Sequence, residues 1–286
     1  MQLFKYGPLG KEKCGVLLNE QLYSMARFFK DYDEKFFEND GLTRLQNLVQ
    51  HSAEGLTPIK STADLRFGSP IARPSKIVCI GLNYAKHATE SGMQLPTEPI
   101  IFFKSTTALC GPNDDTIIPR SSEKMDWEVE LAVVIGKKAS YVDESEAMNY
   151  IAGYVLHNDI SERAFQLERS GQWVKGKSND TFAPLGPFLV TKDEIPDPHV
   201  LNMWLTVNGE KLQDSNTDDM IFKIPFLVTY LSQFMTLLPG DVISTGTPFG
   251  VGLGFKPPRY LKAGDVVELG IDNLGTQRQI AKNWTR

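Results

Sequence analysis

The residues best suited to chemistry are acids. Glu128 and Glu130 stand in Asp126-Trp127-Glu128-Val129-Glu130-Leu131-Ala132-Val133-Val134-Ile135. Read as one strand, this segment sends alternate side chains to opposite faces, so the two glutamates point the same way. Like charges entering an apolar run lose hydration and repel, and they stay buried only when paired or when they hold a metal. The opposing reading is a strand whose first half is wet, and this fragment alone does not choose. Asp159 follows the apolar stretch 151–158 and offers a third carboxylate from a neighbouring strand. Three oxygen ligands suit Mg²⁺, Mn²⁺ or Ca²⁺ rather than Zn²⁺.

Three further segments carry usable groups. In Gly81-Leu82-Asn83-Tyr84-Ala85-Lys86-His87-Ala88-Thr89-Glu90, His87 and Glu90 lie three apart and share a face if the segment is helical. A carboxylate beside an imidazole orients its tautomer and raises its basicity, as a water-activating base requires. A surface ion pair would look the same. The polar stretch 173–187, rich in glycine and proline, reads as a structured loop, and a lysine there could neutralise an enolate or a carboxylate. Ser244-Thr245-Gly246-Thr247-Pro248 follows an apolar strand and can present backbone N–H groups and a hydroxyl to an anion. The glycines at 250, 252 and 254 lack dinucleotide-fingerprint spacing, and there is no G-x-S-x-G elbow.

Positioning these groups falls to many short strands. Strands are predicted at 77–81, 100–104, 129–135, 151–158, 188–191, 203–207, 241–245 and 266–271, separated by turns such as Asn208-Gly209 and Pro239-Gly240. Helices are predicted at 83–91, 144–150 and 224–234. The pattern is mostly β with scattered helices, not a βαβ alternation. Residues 1–71 read as short strands followed by a helix-prone 42–50, a small α+β module that caps the rest or supports a dimer. A boundary near residue 72 leaves 72–286 as the catalytic domain. With 41% hydrophobic and 23% charged residues, the 286-residue chain can build an ordinary core. A net charge of −5 and the lack of a basic stripe speak against nucleic acid. No 18-residue apolar run suggests a membrane span. The odd, widely spaced Cys14, Cys79 and Cys110 fit neither a disulfide framework nor a zinc knuckle. A reduced, cytoplasmic protein is expected.

These motifs, in this order, resemble the fumarylacetoacetate hydrolase family from about Lys76 onward. The closest similarity is to its bacterial 2,4-diketo-3-deoxy-sugar-acid hydrolases, often labelled ureidoglycolate lyase; Leu3-Phe4-Lys5-Tyr6-Gly7-Pro8 also looks like that subgroup. The resemblance implies a mixed α/β, mostly β fold built on a β-roll, with a small N-terminal domain, usually in a homodimer. It implies Mg²⁺ or Mn²⁺ held by Glu128, Glu130 and Asp159, with Asp126 close by but outside the ligand set. His87 and Glu90 match the water-activating pair, and Lys177 matches the lysine beside the metal, where an enolate develops. Arg163 and Gln166 match positions that shape the substrate pocket. Thr247 matches the hydroxyl that meets the substrate carboxylate. The implied reaction is hydrolysis of the C3–C4 bond of a 2,4-diketo acid, such as 2,4-diketo-3-deoxy-fuconate or -rhamnonate, to pyruvate and lactate. Oxaloacetate decarboxylation, acylpyruvate hydrolysis and isomerisation of unsaturated keto diacids are the alternatives on the same scaffold. A non-enzymatic metal-binding module is the alternative of another class.

Overall fold

The computed structural model describes every residue except 52–54, 61–64 and 87–94. Strands β1 (Gln2–Tyr6), β2 (Lys13–Leu18) and β3 (Gln21–Ser24) come first, then helices α1 (Glu34–Glu38) and α2 (Gly41–His51). There follow β4 (Ile77–Gly81), β5 (Ile100–Lys104), β6 (Val129–Ile135), β7 (Ile151–Asn158), the short helix α3 (Val174–Lys177), β8 (Leu189–Thr191), β9 (Asn202–Val207) and β10 (Glu210–Asn216). Helix α4 (Ile224–Phe234), β11 (Val242–Ser244), β12 (Val266–Ile271) and β13 (Gly275–Asn283) complete the main elements. The fold is mixed α/β and mostly strand, as expected.

The main sheet has 11 strands in the order Thr57–Pro58, β3, β2, β1, β8, β7, β6, β11, β4, β5, with Phe67–Gly68 paired to β1. Among the described residues, only β11 and β4 run parallel along this path. Strands β1, β2 and β3, with Thr57–Pro58 and Phe67–Gly68, extend this sheet through the pairing of β1 with β8. A second sheet of 5 strands, β10-β9-β12-β13 and Thr116–Ile118, packs across β6 and β7. That covering explains β6: every residue from Val129 to Ile135 is buried, so the strand reads as a continuous apolar run broken only by Glu130. Leu131, Val133, Val155, Leu205 and Leu269 share the resulting core. Cys14, Cys79 and Cys110 are free and buried. Among the described residues, no helix is long and apolar enough to cross a membrane.

Most predicted strands appear within a residue or two. Two differences matter. The segment 126–135 is not one strand: Met125–Asp126 is a short strand, Trp127 and Glu128 lie outside any strand, and β6 starts at Val129. The cause is local hydrogen bonding. Trp127 N donates to Asp126 Oδ1, Glu128 N to Asn158 Oδ1 and Val129 N to Gln213 Oε1, so side chains take what a neighbouring strand would otherwise accept. The predicted loop 173–187 begins with α3, which ends on Lys177. Gly176 permits this, since a Cβ there would lie 2.4 Å from Glu162 O.

Candidate metal and substrate site

Three acids converge where β6 and β7 meet. The strands are antiparallel with Val129 opposite Asn158, and Asp159 N donates to Glu128 O at 2.9 Å. Glu128, Glu130 and Asp159 are buried and offer oxygens all within 4.8 Å of one another. Opposed ligands lie about 4.2 Å apart around Mg²⁺ and about 4.8 Å apart around Ca²⁺. The spacing and the all-oxygen donor set therefore fit a hard divalent cation.

Each acid is restrained by identifiable partners. Lys177 Nζ lies 2.7 Å from Glu128 Oε2 and 2.9 Å from Asp159 Oδ2, at the buried end of α3. Lys104, the last residue of β5, is fully buried and pairs with Asp159 Oδ1. Arg163 donates Nη2 to Glu128 Oε1 at 2.6 Å, Nε to Asp126 Oδ2 at 2.8 Å and Nη1 to Gln166 Oε1 at 3.0 Å. Asp126 also accepts from Gly252 N and Leu253 N, tying the acid cluster to the loop that walls the cavity. Glu130 has no cationic partner among the described residues; its Oε2 accepts from Ser244 Oγ and Gly246 N.

The electrostatics follow from this arrangement. Burial alone would raise Asp159, but Lys104 and Lys177 outweigh it and hold the carboxyl below its usual range. Burial, with Asp159 and Glu128 adding to it, raises Glu130 well above the carboxylate range, only partly offset by Lys177 and Ser244. Burial would lower Lys177, yet Asp159 and Glu128 hold it protonated. His157, on β7 directly opposite Glu130, is pushed down to about 3 by burial and is neutral. The cluster holds four carboxylates (Asp126, Glu128, Glu130, Asp159) against three cations (Lys104, Arg163, Lys177). Among the described residues, one buried negative charge is left over once all four acids are ionised, the state in which Glu130 would hold a cation; without a cation, burial keeps Glu130 protonated and the cluster balanced. A divalent cation would turn that negative charge into one positive charge, which one carboxylate of a bound acid would neutralise.

A cavity of about 550 Å³ opens over the cluster. Its floor includes Glu128, Glu130, Arg163, Gln166, Lys177 and Thr247. Its walls are largely apolar, with Phe102, Trp173, Val251, Leu253 and Phe255. Gln166 sits in a single wide helical turn, Ala164–Glu168, a distortion common at functional sites. Its amide oxygen is used by Arg163, which leaves its N–H₂ for the cavity. Thr247 lines the floor, but its hydroxyl donates to Val129 O at 3.0 Å and accepts from Gln213 Nε2 at 2.9 Å. To donate to a substrate carboxylate it must first release Val129.

Of the residues singled out in the sequence, seven are gathered here: Glu128, Glu130, Asp159, Arg163, Gln166, Lys177 and Thr247. His87 and Glu90 lie outside the described residues. Sequence reasoning missed Lys104, whose signal was a lysine ending the apolar run Ile100–Phe103. It also missed the supporting amides. Asn158 Nδ2 donates to Gln279 Oε1 at 2.9 Å, and Gln279 Nε2 to Gln277 Oε1 at 3.0 Å, linking β13 to the Glu128 backbone.

Residues 76–280 match the family described as fumarylacetoacetate (FAA) hydrolase C-terminal, and the chain belongs to this enzyme family. A Burkholderia ambifaria protein that carries only the provisional name hydrolase is 50% identical over 285 residues, 99% of each chain. The solved maleylpyruvate hydrolase of Sphingobium sp. SYK-6, in complex with manganese(II) and pyruvate, is 27% identical with a TM-score of 0.82, each chain 100% covered. The 2-hydroxyhepta-2,4-diene-1,7-dioate isomerase of Mycobacterium marinum is 31% identical with a TM-score of 0.75, again over 100% of each chain. Hydrolases and isomerases both occur on this scaffold.

Proposed function

We propose that this protein is a divalent-cation-dependent hydrolase that cleaves a carbon–carbon bond in a short 2,4-diketo acid and releases pyruvate. The observation that carries this reading is the buried triad of Glu128, Glu130 and Asp159, with oxygens all within 4.8 Å of one another, set in the floor of a cavity beside Lys177. Mg²⁺ or Mn²⁺ held by Glu128, Glu130 and Asp159 would supply Lewis-acid polarisation of the substrate's 2-keto oxygen. The manganese and pyruvate in the maleylpyruvate hydrolase structure support both the ion and the product.

The chain's own groups then divide the work. Lys177 keeps its proton and places a positive charge where the enolate oxygen forms, so stabilisation grows toward the transition state. Gln166 orients the acid through its free amide N–H₂. Arg163 has its Nε and both terminal nitrogens engaged, and it braces Asp126, Glu128 and Gln166. His87, oriented by Glu90, takes a proton from the attacking water in this reading, which rests for that pair on the sequence alone. Decarboxylation would need no such base.

Two tails are compatible with the floor. The sugar-acid tails of 2,4-diketo-3-deoxy-fuconate or -rhamnonate follow from the subgroup resemblance, with Gln166 as a hydrogen-bond donor. The apolar wall of Phe102, Trp173 and Leu253 favours plain acylpyruvates. The deciding experiment measures pyruvate release from a panel of both kinds and from oxaloacetate, with Mg²⁺ or Mn²⁺ and after chelation. Full activity after exhaustive chelation would end the cation-dependent reading. If oxaloacetate alone were turned over, the hydrolase reading would fall.

A further inference from the structure

The two carboxylate oxygens of Glu130 have different surroundings. Oε2 accepts from Ser244 Oγ at 2.5 Å and from Gly246 N at 3.1 Å. Oε1 receives no donor from the described residues. Ser244 spends its proton on Glu130, so its oxygen is free to accept from His157 Nδ1, which lies 2.6 Å away. Nδ1 therefore bears a proton directed at Ser244. The ring's Nε2 is buried with no partner among the described residues. His157 is fully buried between strands and contacts neither the cavity nor the acids' free oxygens. Among the described residues its side chain hydrogen-bonds Ser244.

The register makes this a rigid support. Glu130 on β6 faces His157 on β7, and Ala132 on β6 faces Ser244 on β11. Three adjacent strands of one sheet thus each contribute a link.

We propose that Ser244, held by His157, is the ion-selectivity element of the site: it occupies Glu130 Oε2 and leaves Oε1 as the single oxygen this acid can give a cation. The proposal rests on the reading that the acids hold a divalent ion. Its physical basis is ligand count. Mg²⁺ keeps near-ideal octahedral geometry, whereas Ca²⁺ takes 6–8 oxygens and accepts a carboxylate through both. A glutamate confined to one oxygen favours the smaller octahedral ions. His157 and Ser244 are positioning residues that act through Glu130.

The test is calorimetric titration of the apo full-length protein with Mn²⁺ and with Ca²⁺. Wild type is compared with Ser244→Ala, His157→Leu and His157→Asn. Loss of an outer hydrogen bond weakens metal binding by roughly 10–100-fold. Ser244→Ala is expected to weaken Mn²⁺ by that much and Ca²⁺ far less, because the freed Oε2 lets Glu130 chelate the larger ion. His157→Leu should shift the ratio of affinities in the same direction. His157→Asn keeps an N–H near the position of Nδ1 and should hold the wild-type ratio. Circular dichroism of each apo variant identifies any that fails to fold; the Ser244→Ala comparison alone then decides. An unchanged ratio in Ser244→Ala, or equal losses for both ions, overturns the role of Ser244 while leaving the cation site standing. Wild-type protein that binds no Mn²⁺ overturns both.

Discussion

Asp159 donates its backbone N–H to the carbonyl of Glu128, so the residue just past one strand is clipped to the residue just before its antiparallel neighbour. The two carboxylates are thereby held side by side by main chain, and their repulsion is met by Lys177 between them. Removing Lys177 should therefore be felt twice. Lys177→Met is expected to lower turnover roughly 10²–10³-fold, as loss of a charge-stabilising donor does. It should also lower apo-protein stability, because breaking a buried ion pair costs about 3–5 kcal/mol. Single-turnover assays and urea unfolding check the two parts separately.

Lys104 tests the same electrostatics away from the cavity. It is buried, pairs with Asp159 and does not line the pocket. Lys104→Met should destabilise the apo protein by about 3–5 kcal/mol. Added Mn²⁺ should restore much of that loss, since a cation can take over the counter-charge of Asp159. Unfolding curves with and without Mn²⁺ measure it; a variant as stable as wild type would remove Lys104 from the account.

Replacing the proposed base His87 offers a way to separate hydrolysis from decarboxylation. A positioned general base contributes roughly 10²–10⁴-fold. His87→Gln should cost diketo-acid hydrolysis about that factor and leave any oxaloacetate decarboxylation within about tenfold, because only the first needs activated water. Pyruvate release from each substrate at saturating Mg²⁺ gives the answer. Equal losses would assign His87 to binding or structure.

Trp173 sets one wall of the cavity, and Gly81 makes room for it. A Cβ at position 81 would lie 2.8 Å from the Trp173 ring, which packs on Phe102 at 5.3 Å between centroids. Gly81→Ala should push the indole toward the substrate. kcat/KM for long acyl tails should then fall roughly tenfold or more relative to short ones, the scale of one misplaced carbon in a pocket. A uniform loss across tail lengths would mean Trp173 does not bound the tail.

Part of the acid sensitivity should arise far from the site. His199 Nε2 accepts from Ile224 N at the start of α4 and lies beside Asp197 through Nδ1. Burial, with Lys223 adding to it, holds His199 below its ordinary value of 6.5, against the pull of Asp197. A histidine depressed in the folded state contributes stability above the unfolded value and loses it as pH falls through the folded one. Protonation also removes the acceptor that caps α4, worth about 1 kcal/mol. Stability should decline as pH drops below about 6.5, with the buried His157 adding to the slope, and His199→Asn should remove the His199 part of that decline. Urea midpoints between neutral and mildly acidic pH report it.

The apolar strands and α4 were legible because their burial leaves a continuous or periodic pattern. Glu128, Glu130 and Asp159 were legible because carboxylates seldom border such runs without cause. The break at Trp127 was not, since it depends on Asn158 and Gln213, amides far away in sequence. Strand β10 was missed because only Leu212 and Gln213 are buried in it. Strand β13 was missed because its inward residues include Gln277 and Gln279, whose partners are strand ends and carbonyls rather than a greasy layer. Lys104 and His157 were visible only as polar letters in apolar words.

The link from Asn158 to Gln279 spans 121 residues. Contacts of such separation close large loops and form late relative to local ones. Until β13 docks, Asn158 lacks that partner and the Glu128 backbone has one fewer brace. The acids, gathered by the more local pairing of β6 with β7, therefore wait on the C-terminal strand for this support.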